Sequence, residues 1–222
     1  MILKVKQNIK INKNCFNLIL ERPKGFNFYP GQYLDIELPV EDKFGKTRAF
    51  TISSSPTEHF LMITPQIGKT PFKKFMEKIK AGDSISASHP AGTFTLDESC
   101  PAVFIAGGIG ITPFRSIIKY VFDQQTSTQI TLIYSNSADN FLFKNELDLW
   151  QKQVPSLQII YHNSSKIGRL NKKTFQQYPI PHTLYPIFYL AGSHEFVNSM
   201  EANLLGLGVD QTNIRTDKFD GY

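Results

Sequence analysis

The segment AVFIAGGIGITPFRSIIKY, residues 102–120, decides the fold of the C-terminal half of this chain. Its first five residues are an apolar run typical of a buried parallel strand. Gly108 and Gly110 follow, and beyond them apolar residues recur at helical spacing. We predict that Thr112 caps this helix and that Pro113 is its first residue. A strand, a glycine turn and a helix N-terminus together offer backbone N–H groups to a phosphate.

The glycine pattern of this turn supports two interpretations. It reads Gly108-x-Gly110-x-x-Pro113, so it lacks the third glycine of the dinucleotide-binding fingerprint. A tight turn from strand to helix also needs glycine for purely conformational reasons. From these residues alone, phosphate binding and a structural turn are equally supported.

The composition is that of a globular protein with a modest positive charge. The 222 residues, 41% hydrophobic and 19% charged, exclude disorder and allow one large domain or two smaller ones. The apolar runs are far shorter than the roughly 18 residues of a membrane span, and the N-terminus lacks a signal-peptide block, so we expect a cytoplasmic protein. The net charge of +5 favours anionic ligands or acidic partners, and is too small to predict nucleic-acid binding.

Cysteine and histidine usage argues against a metal site. Cys15 and Cys100 are the only cysteines, and two thiols cannot form a disulfide framework, an iron–sulfur cage or a zinc site unaided. The five histidines show no HxxxH or HxH spacing. We therefore predict no metal centre and two idle thiols.

Two halves with different patterns predict two domains. Short alternating segments separated by Gly, Pro and Asn turns predict an antiparallel barrel or sandwich over residues 1–98. One helix interrupts these strands, with Thr70 as its cap and Pro71 in its first turn. Strands and helices alternate over residues 99–222, which predicts a parallel sheet covered by helices.

The nonapeptide RAFTISSSP, residues 48–56, places a cation, an aromatic ring and several hydroxyls on one extended segment. Because side chains alternate across a strand, Arg48 and Phe50 share one face and Thr51 points to the other. A guanidinium can hold a phosphate with two hydrogen bonds, and an aromatic ring can stack on a flat heterocycle. The same residues also fit an ordinary barrel strand.

The segment IGKTPFKKF, residues 67–75, is a second candidate anion site. Gly68 permits close approach of the backbone, and the amides of Lys69 and Thr70 lead into a helix N-terminus. Two phosphate sites, one in each half of the chain, indicate either two nucleotides or one nucleotide and one dinucleotide.

Six motifs in order give the chain its resemblance to a known family: RAFTISSSP, IGKTPF, AGDSISASHPAGTF, AGGIGITP, LAGSHEFVNSM and DKFDGY. In this order and at these separations they resemble the ferredoxin–NADP reductase family over essentially the whole chain. The resemblance implies a six-stranded antiparallel Greek-key barrel that binds FAD (FMN in some branches). It also implies that an α/β domain with a parallel sheet follows the barrel and binds NAD(P)H.

The resemblance also implies roles for residues of the barrel. Arg48 would pair with a flavin phosphate, Phe50 would stack on the isoalloxazine ring in place of the more usual tyrosine, and Thr51 would hydrogen-bond near flavin N5. Ala49 belongs to the same cofactor-binding segment, and Ser54 matches a serine near the hydride-transfer site. The flavin phosphates would also be held by Gly68, Lys69 and Thr70.

In the second domain the resemblance implies a nicotinamide site and an aromatic tail. The dinucleotide would be lined by Gly108, Gly110, Ile111 and Thr112, together with Gly192 and Ser193. Ala191 stands where relatives usually have a cysteine near the reacting nicotinamide carbon. Phe219 and Tyr222 resemble the aromatic tail that covers the flavin face in many relatives. The candidate catalytic residues implied by the resemblance are therefore Thr51, Ser54 and Phe219.

The resemblance implies an NAD(P)H-dependent oxidoreductase that passes hydride to bound FAD. Because the chain has no Cys-rich ferredoxin segment, we expect a separate acidic redox protein as acceptor: ferredoxin, flavodoxin or an oxygenase component. Two alternatives stay open, a reductase that uses free flavin as substrate and a non-catalytic electron-transfer subunit. Residues 135–138, SNSA, contain neither the arginine typical of 2′-phosphate binders nor the acid that would select NADH. NADH is slightly favoured, and Arg115, Lys144, Lys166 and Arg169 are other candidates for a 2′-phosphate.

Overall fold

The chain folds as two units, each with its own hydrophobic core. The structure, a computed structural model, describes residues 1–178 and 186–220. The first unit is Met1–Thr95, and the second begins at Leu96. Apolar side chains such as Leu18 and Leu34 form the core of the first unit, whereas Val103 and Leu190 belong to that of the second.

The first unit is a six-stranded antiparallel sheet in the order β4-β3-β6-β1-β2-β5. Alternating burial along β2 and β3 places one side of each strand in the core. The strands are β1 Ile2–Lys10, β2 Phe16–Glu21, β3 Tyr33–Glu37, β4 Thr47–Thr51, β5 Phe60–Ile63 and β6 Ser84–Ala87.

Hydrogen bonds between the two outer strands close this sheet into a barrel. The chain that continues from β4 meets β5, where the Ser53 amide donates to the Met62 carbonyl at 2.7 Å. The Met62 amide in turn donates to Ser54 Oγ at 3.0 Å. The predicted antiparallel barrel is confirmed, and the serines of RAFTISSSP help to seal it.

One helix, α1 (Pro71–Lys78), follows β5. Its cap is Thr70, whose hydroxyl oxygen accepts a hydrogen bond from the Lys73 amide at 3.3 Å, and Pro71 is the first helical residue. Both features were predicted, because a hydroxyl residue followed by proline is a local signal for a helix start.

The second unit is a five-stranded parallel sheet in the order β11-β10-β7-β8-β9. The strands are β7 Ala102–Gly107, β8 Ile130–Asn136, β9 Leu157–Asn163, β10 Ile187–Ser193 and β11 Ile214–Phe219. The helices are α2 Ile111–Gln124, α3 Lys144–Gln153, α4 Ser164–Ile167, α5 Lys172–Gln177 and α6 His194–Leu205. The predicted α/β half is confirmed.

The predicted start of α2 was wrong. A single 3₁₀ turn over Gly108–Gly110 precedes the helix, and Gly110 is its cap. Thr112 lies within the first turn, where its hydroxyl donates to the Ile109 carbonyl at 3.1 Å. Since Gly108 adopts a positive φ of 54°, the chain turns into helical geometry earlier than the hydroxyl signal indicates.

The two cysteines differ in exposure. Cys15 is buried, and burial raises the pKa of its thiol to about 11, whereas Cys100 is partly exposed. Among the residues that the structure describes, no three His, Cys, Asp or Glu side chains are grouped so that they could hold a metal. In the same part of the chain, every helix is too short or too polar to cross a bilayer.

Candidate functional site

The glycine motif of the α/β unit lies at the point where the strand order reverses. From β7 the chain moves to β8 and β9 on one side, and from β10 it moves to β11 on the other. Helices α2 and α6 leave the carboxyl ends of these two neighbouring strands in opposite directions along the sheet. In open α/β sheets, ligands bind in the crevice at this position.

Close backbone packing across this crevice explains most of its glycines. A Cβ on Gly110 would lie 2.0 Å from the Ala191 carbonyl oxygen, so no larger residue fits there. Gly107 and Gly192 both pack against the Phe196 ring, which would be 2.6 and 2.9 Å from a Cβ on each. Gly108 is different, because a Cβ at that position would meet no atom within 4 Å.

The described residues that border the crevice present backbone groups and the capping hydroxyl of Ser193. Ser193 caps α6, and its Oγ accepts a hydrogen bond from the Phe196 amide at 3.3 Å. Ile111 and Thr112 have buried side chains, and the Ile111 amide is already bonded to the Gly108 carbonyl. The structure thus brings Gly108, Gly110, Gly192 and Ser193 together, while the side chains of Ile111 and Thr112 face the core.

The basic residues considered as 2′-phosphate partners are all paired with carboxylates. Arg115 is buried and bonds Glu146 at 2.9 Å. The other pairs are Lys144 with Asp148 at 2.5 Å, Lys166 with Asp139 at 2.6 Å and Arg169 with Glu195 at 3.1 Å. Each pairing reduces the positive charge that these side chains can offer to a phosphate.

In the barrel unit the two predicted motifs meet at Phe72, the second residue of α1. Phe50 is half-buried, and its ring stacks on the Phe72 ring with centroids 6.1 Å apart and an interplanar angle of 19°. The Arg48 guanidinium lies 5.0 Å from the centre of the same ring. A strand cation, a half-buried aromatic face and a helix N-terminus are therefore neighbours, as a flavin phosphate site would require.

The remaining residues of the first motif differ in exposure. Ala49 is exposed, whereas Thr51 is buried in the barrel. Ser54 has no exposed surface, and its hydroxyl holds the Met62 amide. Ser54 therefore has a structural function in closing the barrel, and its part in hydride transfer stays a prediction.

The second motif surrounds the start of α1. Gly68 packs on the aliphatic part of Lys73, Lys69 is exposed, and the Thr70 hydroxyl is used as the helix cap. Burial, together with the charge of Arg48, lowers the pKa of Lys73. A second cation thus lies near Arg48.

Asp42 is a site residue that the sequence analysis missed. Its carboxylate is 3.3 Å from the Arg48 guanidinium and accepts a hydrogen bond from the Phe72 amide at 3.1 Å. The Arg48 guanidinium also donates to the carbonyls of Phe44, Gly45 and Thr47 in the same loop. Asp42 lies in a turn with no periodic pattern, so the sequence did not predict that its side chain contacts α1.

The C-terminal candidates are only partly described. Phe219 is half-buried at the end of β11, where it is paired with Ser193 of β10. Tyr222 lies outside the described residues. Coverage of a flavin face by either ring stays a prediction.

Comparison with known proteins agrees with this architecture. Residues 104–202 match the family model for the oxidoreductase NAD-binding domain. Flavohemoprotein B of Dictyostelium discoideum is 27% identical over 219 residues, which cover 86% of this chain and 52% of that protein. The chain thus spans about half the length of this relative.

Solved structures show the same fold over nearly the whole chain. The flavohem-like FAD/NAD binding domain of nitric oxide dioxygenase from Vibrio cholerae has a TM-score of 0.82 at 22% identity, with 98% of each chain covered. Ferredoxin-NADP+ reductase from Plasmodium falciparum has a TM-score of 0.81 at 20% identity, with 98% of this chain and 95% of that chain covered.

A barrel with a cation and an aromatic ring at a helix start, followed by an α/β unit with a glycine crevice, defines the two-domain class of flavin- and nicotinamide-binding folds. Within that class, the chain shares its fold with ferredoxin-NADP+ reductase and with the flavohem-like FAD/NAD binding domain, and its residues 104–202 match the oxidoreductase NAD-binding domain. The resemblance noted from the motifs is confirmed.

Proposed function

We propose that this chain is an NAD(P)H-dependent flavoprotein reductase that binds FAD on the barrel unit and NAD(P)H on the α/β unit. The single observation that carries the proposal is the meeting of Arg48, Phe50 and Phe72 at the start of α1. The glycine crevice between β7 and β10 supports it from the other unit.

The side chains of the barrel unit fit the parts of a flavin nucleotide. Arg48, Lys73 and the first amides of α1 offer positive charge and donors to phosphate oxygens. Phe50, half-buried on Phe72, offers a flat apolar surface for a ring system. Ala49 is small and exposed beside it, and Thr51 supplies a hydroxyl to the same strand.

The α/β unit fits a dinucleotide through its backbone. Open space beside Gly108 allows close approach of a diphosphate to the start of α2, and Gly192 with Ser193 borders the start of α6. Ile111 and Thr112 contribute by holding this backbone in position from the core side.

The chemistry belongs to the two ligands, because a flavin can take up hydride from a reduced nicotinamide and release electrons singly or in pairs. Each unit would hold one of these ligands and fix the charges around it. We assign Thr51 and Ser54 of the barrel unit to the reacting end of the flavin site, and Phe219 of β11 stays a candidate catalytic residue.

Anaerobic stopped-flow mixing of the FAD-loaded protein with NADH or NADPH tests this function. We expect the flavin absorbance to bleach in a saturable phase, faster with NADH because the four candidate cations for a 2′-phosphate are paired with carboxylates. Absence of bleaching with both cofactors would contradict the proposal, and a strong preference for NADPH would contradict the choice of NADH alone.

We propose further that the electrons leave to an acidic redox protein such as ferredoxin, flavodoxin or an oxygenase component. The net charge of +5 supports a partner of opposite charge. Because the relative named above is a flavohemoprotein and the chain spans about half of it, a haem protein is another acceptor to include in the assay.

A reductase that uses free flavin as its substrate is the second candidate. It is favoured by one observation, the Asp42 carboxylate at the position proposed for a flavin phosphate. Gel filtration separates the two candidates: a protein that stays yellow supports bound FAD. A colourless protein that oxidises NAD(P)H only when flavin is added supports the alternative.

A further inference from the structure

The Asp42 carboxylate already fills the anion position at the start of α1. Asp42 lies between β3 and β4, and its side chain has no exposed surface. One oxygen, Oδ1, accepts a hydrogen bond from the Phe44 amide at 3.0 Å and lies 3.3 Å from Arg48 Nη2. The other, Oδ2, accepts from the Phe72 amide at 3.1 Å.

These donors form a set that would suit a phosphate oxygen equally well. They are a guanidinium, a backbone amide in the first turn of a helix, and the Thr70 side chain, which also hydrogen-bonds the Asp42 carboxyl. Together with the Phe44 amide and the charge of Arg48, they lower the pKa of Asp42, so the group is an anion at neutral pH. The first turn of α1 contains no acidic residue of its own.

We propose that Asp42 is a specificity-determining residue that competes with the flavin phosphate for Arg48 and the start of α1. This inference rests on the proposed flavin site. Two anions cannot share one set of donors without strong repulsion, so the carboxylate leaves when a phosphate binds. Flavins that carry a phosphate therefore bind less tightly than they would if Arg48 and the start of α1 were unoccupied. Riboflavin has no phosphate, so Asp42 does not change its affinity.

The turn that carries Asp42 is built so that the carboxylate can leave. Its closing hydrogen bond runs from the Gly45 amide to the Asp42 carbonyl at 2.8 Å, and Gly45 adopts a positive φ of 84° that suits a tight turn. Lys43 and Phe44 within the turn are exposed. Moving this turn outward breaks the hydrogen bonds from the Arg48 guanidinium to the Phe44 and Gly45 carbonyls, and a phosphate bound to Arg48 would offer replacement acceptors.

Equilibrium binding of riboflavin, FMN and FAD to the wild-type chain and to Asp42→Asn tests the inference, with quenching of flavin fluorescence as the readout. The amide keeps the shape and one acceptor oxygen but removes the charge. We expect Asp42→Asn to bind FMN and FAD about tenfold more tightly, because one charge-assisted set of contacts no longer has to be broken. Riboflavin affinity stays the same.

Asp83→Asn is the charge-matched control. Asp83 lies in an exposed turn of the same unit, where its carboxylate accepts from the Lys80 amide at 2.8 Å. Asp83→Asn changes the net charge by the same amount as Asp42→Asn. A gain in anion binding that comes from net charge alone would therefore appear in both variants. We expect the affinities of Asp83→Asn for all three flavins to equal those of the wild type. If Asp42→Asn does not fold, Asp42→Ser, which keeps an acceptor for the Phe44 amide, replaces it.

Two outcomes overturn the inference in different ways. If the wild type binds flavins but Asp42→Asn binds FMN no more tightly, or gains equally for riboflavin, Asp42 is only a structural cap and the proposed function stands. If neither protein binds any flavin, the proposed function and the inference fall together.

Discussion

At the scale of single residues, we expect the loss of the Phe50 side chain to reduce flavin affinity most directly. The Phe50 ring is half-buried and packs on Phe72 with the ring centroids 6.1 Å apart. Stacking of an aromatic side chain on a heterocyclic base is worth about 1–3 kcal/mol by alanine substitution. We expect Phe50→Ala to weaken binding of riboflavin and FAD alike by about tenfold or more, measured by fluorescence titration.

The control for this prediction is Tyr29→Ala, since Tyr29 is an exposed aromatic residue of the same unit. It should leave flavin affinity and the melting temperature unchanged. Equal flavin affinity in Phe50→Ala and wild type would remove the stacking role from Phe50.

Gly108 and Gly110 lie two positions apart but should respond to alanine in opposite ways. A Cβ on Gly110 would collide with the Ala191 backbone, so we expect Gly110→Ala to lose roughly 2–4 kcal/mol of unfolding free energy. Gly108 has open space, so Gly108→Ala should cost only about 1 kcal/mol for its positive φ. The added methyl group would occupy the space proposed for the dinucleotide.

Denaturant unfolding and steady-state kinetics check this pair. Gly108→Ala should fold and show a raised KM for NADH. Gly110→Ala should show mainly a lower free energy of unfolding. A folded Gly108→Ala protein with an unchanged KM would show that the dinucleotide does not approach that glycine.

Residue-level reasoning from the sequence succeeded where the signal is local and failed where it is not. Strand alternation was enough to place Arg48 and Phe50 on one side, and both reach Phe72. Asp42 was missed because its partners, Arg48 and the Phe72 amide, are brought to it only by the closed barrel. Burial also explains why the side chain of Ile111 is turned away from the crevice.

At the scale of elements, the last strand carries an acid that favours folding at low pH. Asp217 of β11 is partly buried, and this burial raises its pKa to about 6. A carboxyl whose pKa is higher in the folded state stabilises the fold while it is protonated. That contribution is complete below about pH 4 and is lost as the pH rises through about 6.

We therefore expect Asp217→Asn to be more stable than the wild type at pH 7.5, by about 2 kcal/mol, with the difference vanishing near pH 4. Asp210→Asn should do the reverse, because hydrogen bonds from Thr212 lower the pKa of Asp210. Its loss should destabilise the fold at neutral pH and not in acid. Thermal unfolding across this pH range measures both, and equal pH profiles for Asp217→Asn and wild type would contradict the first expectation.

Helices α2 and α3 are joined by an ion pair between the buried Arg115 and the partly exposed Glu146. The Arg115 side chain is 4% exposed, bonds Glu146 at 2.9 Å and lies over the rings of Phe143 and Trp150 at 5.4 and 5.5 Å. Because Glu146 is 44% exposed, water can solvate its charge when Arg115 is removed, and the loss comes mainly from the contacts of the guanidinium with the two rings. We expect Arg115→Met to lose about 1–2 kcal/mol of unfolding free energy.

The exposed pair of Arg169 and Glu195 supplies the control, and Arg169→Met should change stability by less than about 0.5 kcal/mol. Because Arg115 is engaged with α3, its variant should also keep the wild-type ratio of NADH to NADPH turnover. A shift of that ratio in Arg115→Met would restore Arg115 as a 2′-phosphate ligand.

Element boundaries show which local signals can be trusted. Thr70 and Pro71 marked the start of α1 correctly because cap and first turn are adjacent in sequence. The start of α2 was mispredicted because a 3₁₀ turn of glycines, which carries no hydroxyl cap, begins the helical path before Thr112. The alternation of strands and helices still gave the right architecture for both halves.

At the scale of the whole molecule, the net charge of +5 should govern encounters with acceptor proteins. Transfer of electrons to an acidic ferredoxin or flavodoxin should slow by about tenfold between low salt and roughly 0.5 M salt, because screening removes the attraction. Reduction of a small uncharged quinone should not change. Equal salt dependence for both acceptors, measured as kcat/KM, would exclude electrostatic steering by the chain as a whole.

The two-domain organisation was accessible from the sequence because each half buries its own apolar pattern. Period-two strands in the first half and buried strands alternating with helices in the second require different layers. The acceptor was not accessible, since it depends on a surface recognised by another molecule and leaves no periodic signal in the chain.

Because Cys15 is buried and Cys100 is partly exposed, the native chain can be labelled with a spectroscopic probe at one cysteine. A maleimide dye reacts with thiolate, so at neutral pH it should attach at Cys100, just before β7, and spare Cys15, whose burial keeps it protonated. Dye fluorescence from that one position, close to the junction of the two units at Leu96, would then report cofactor binding without any engineered cysteine.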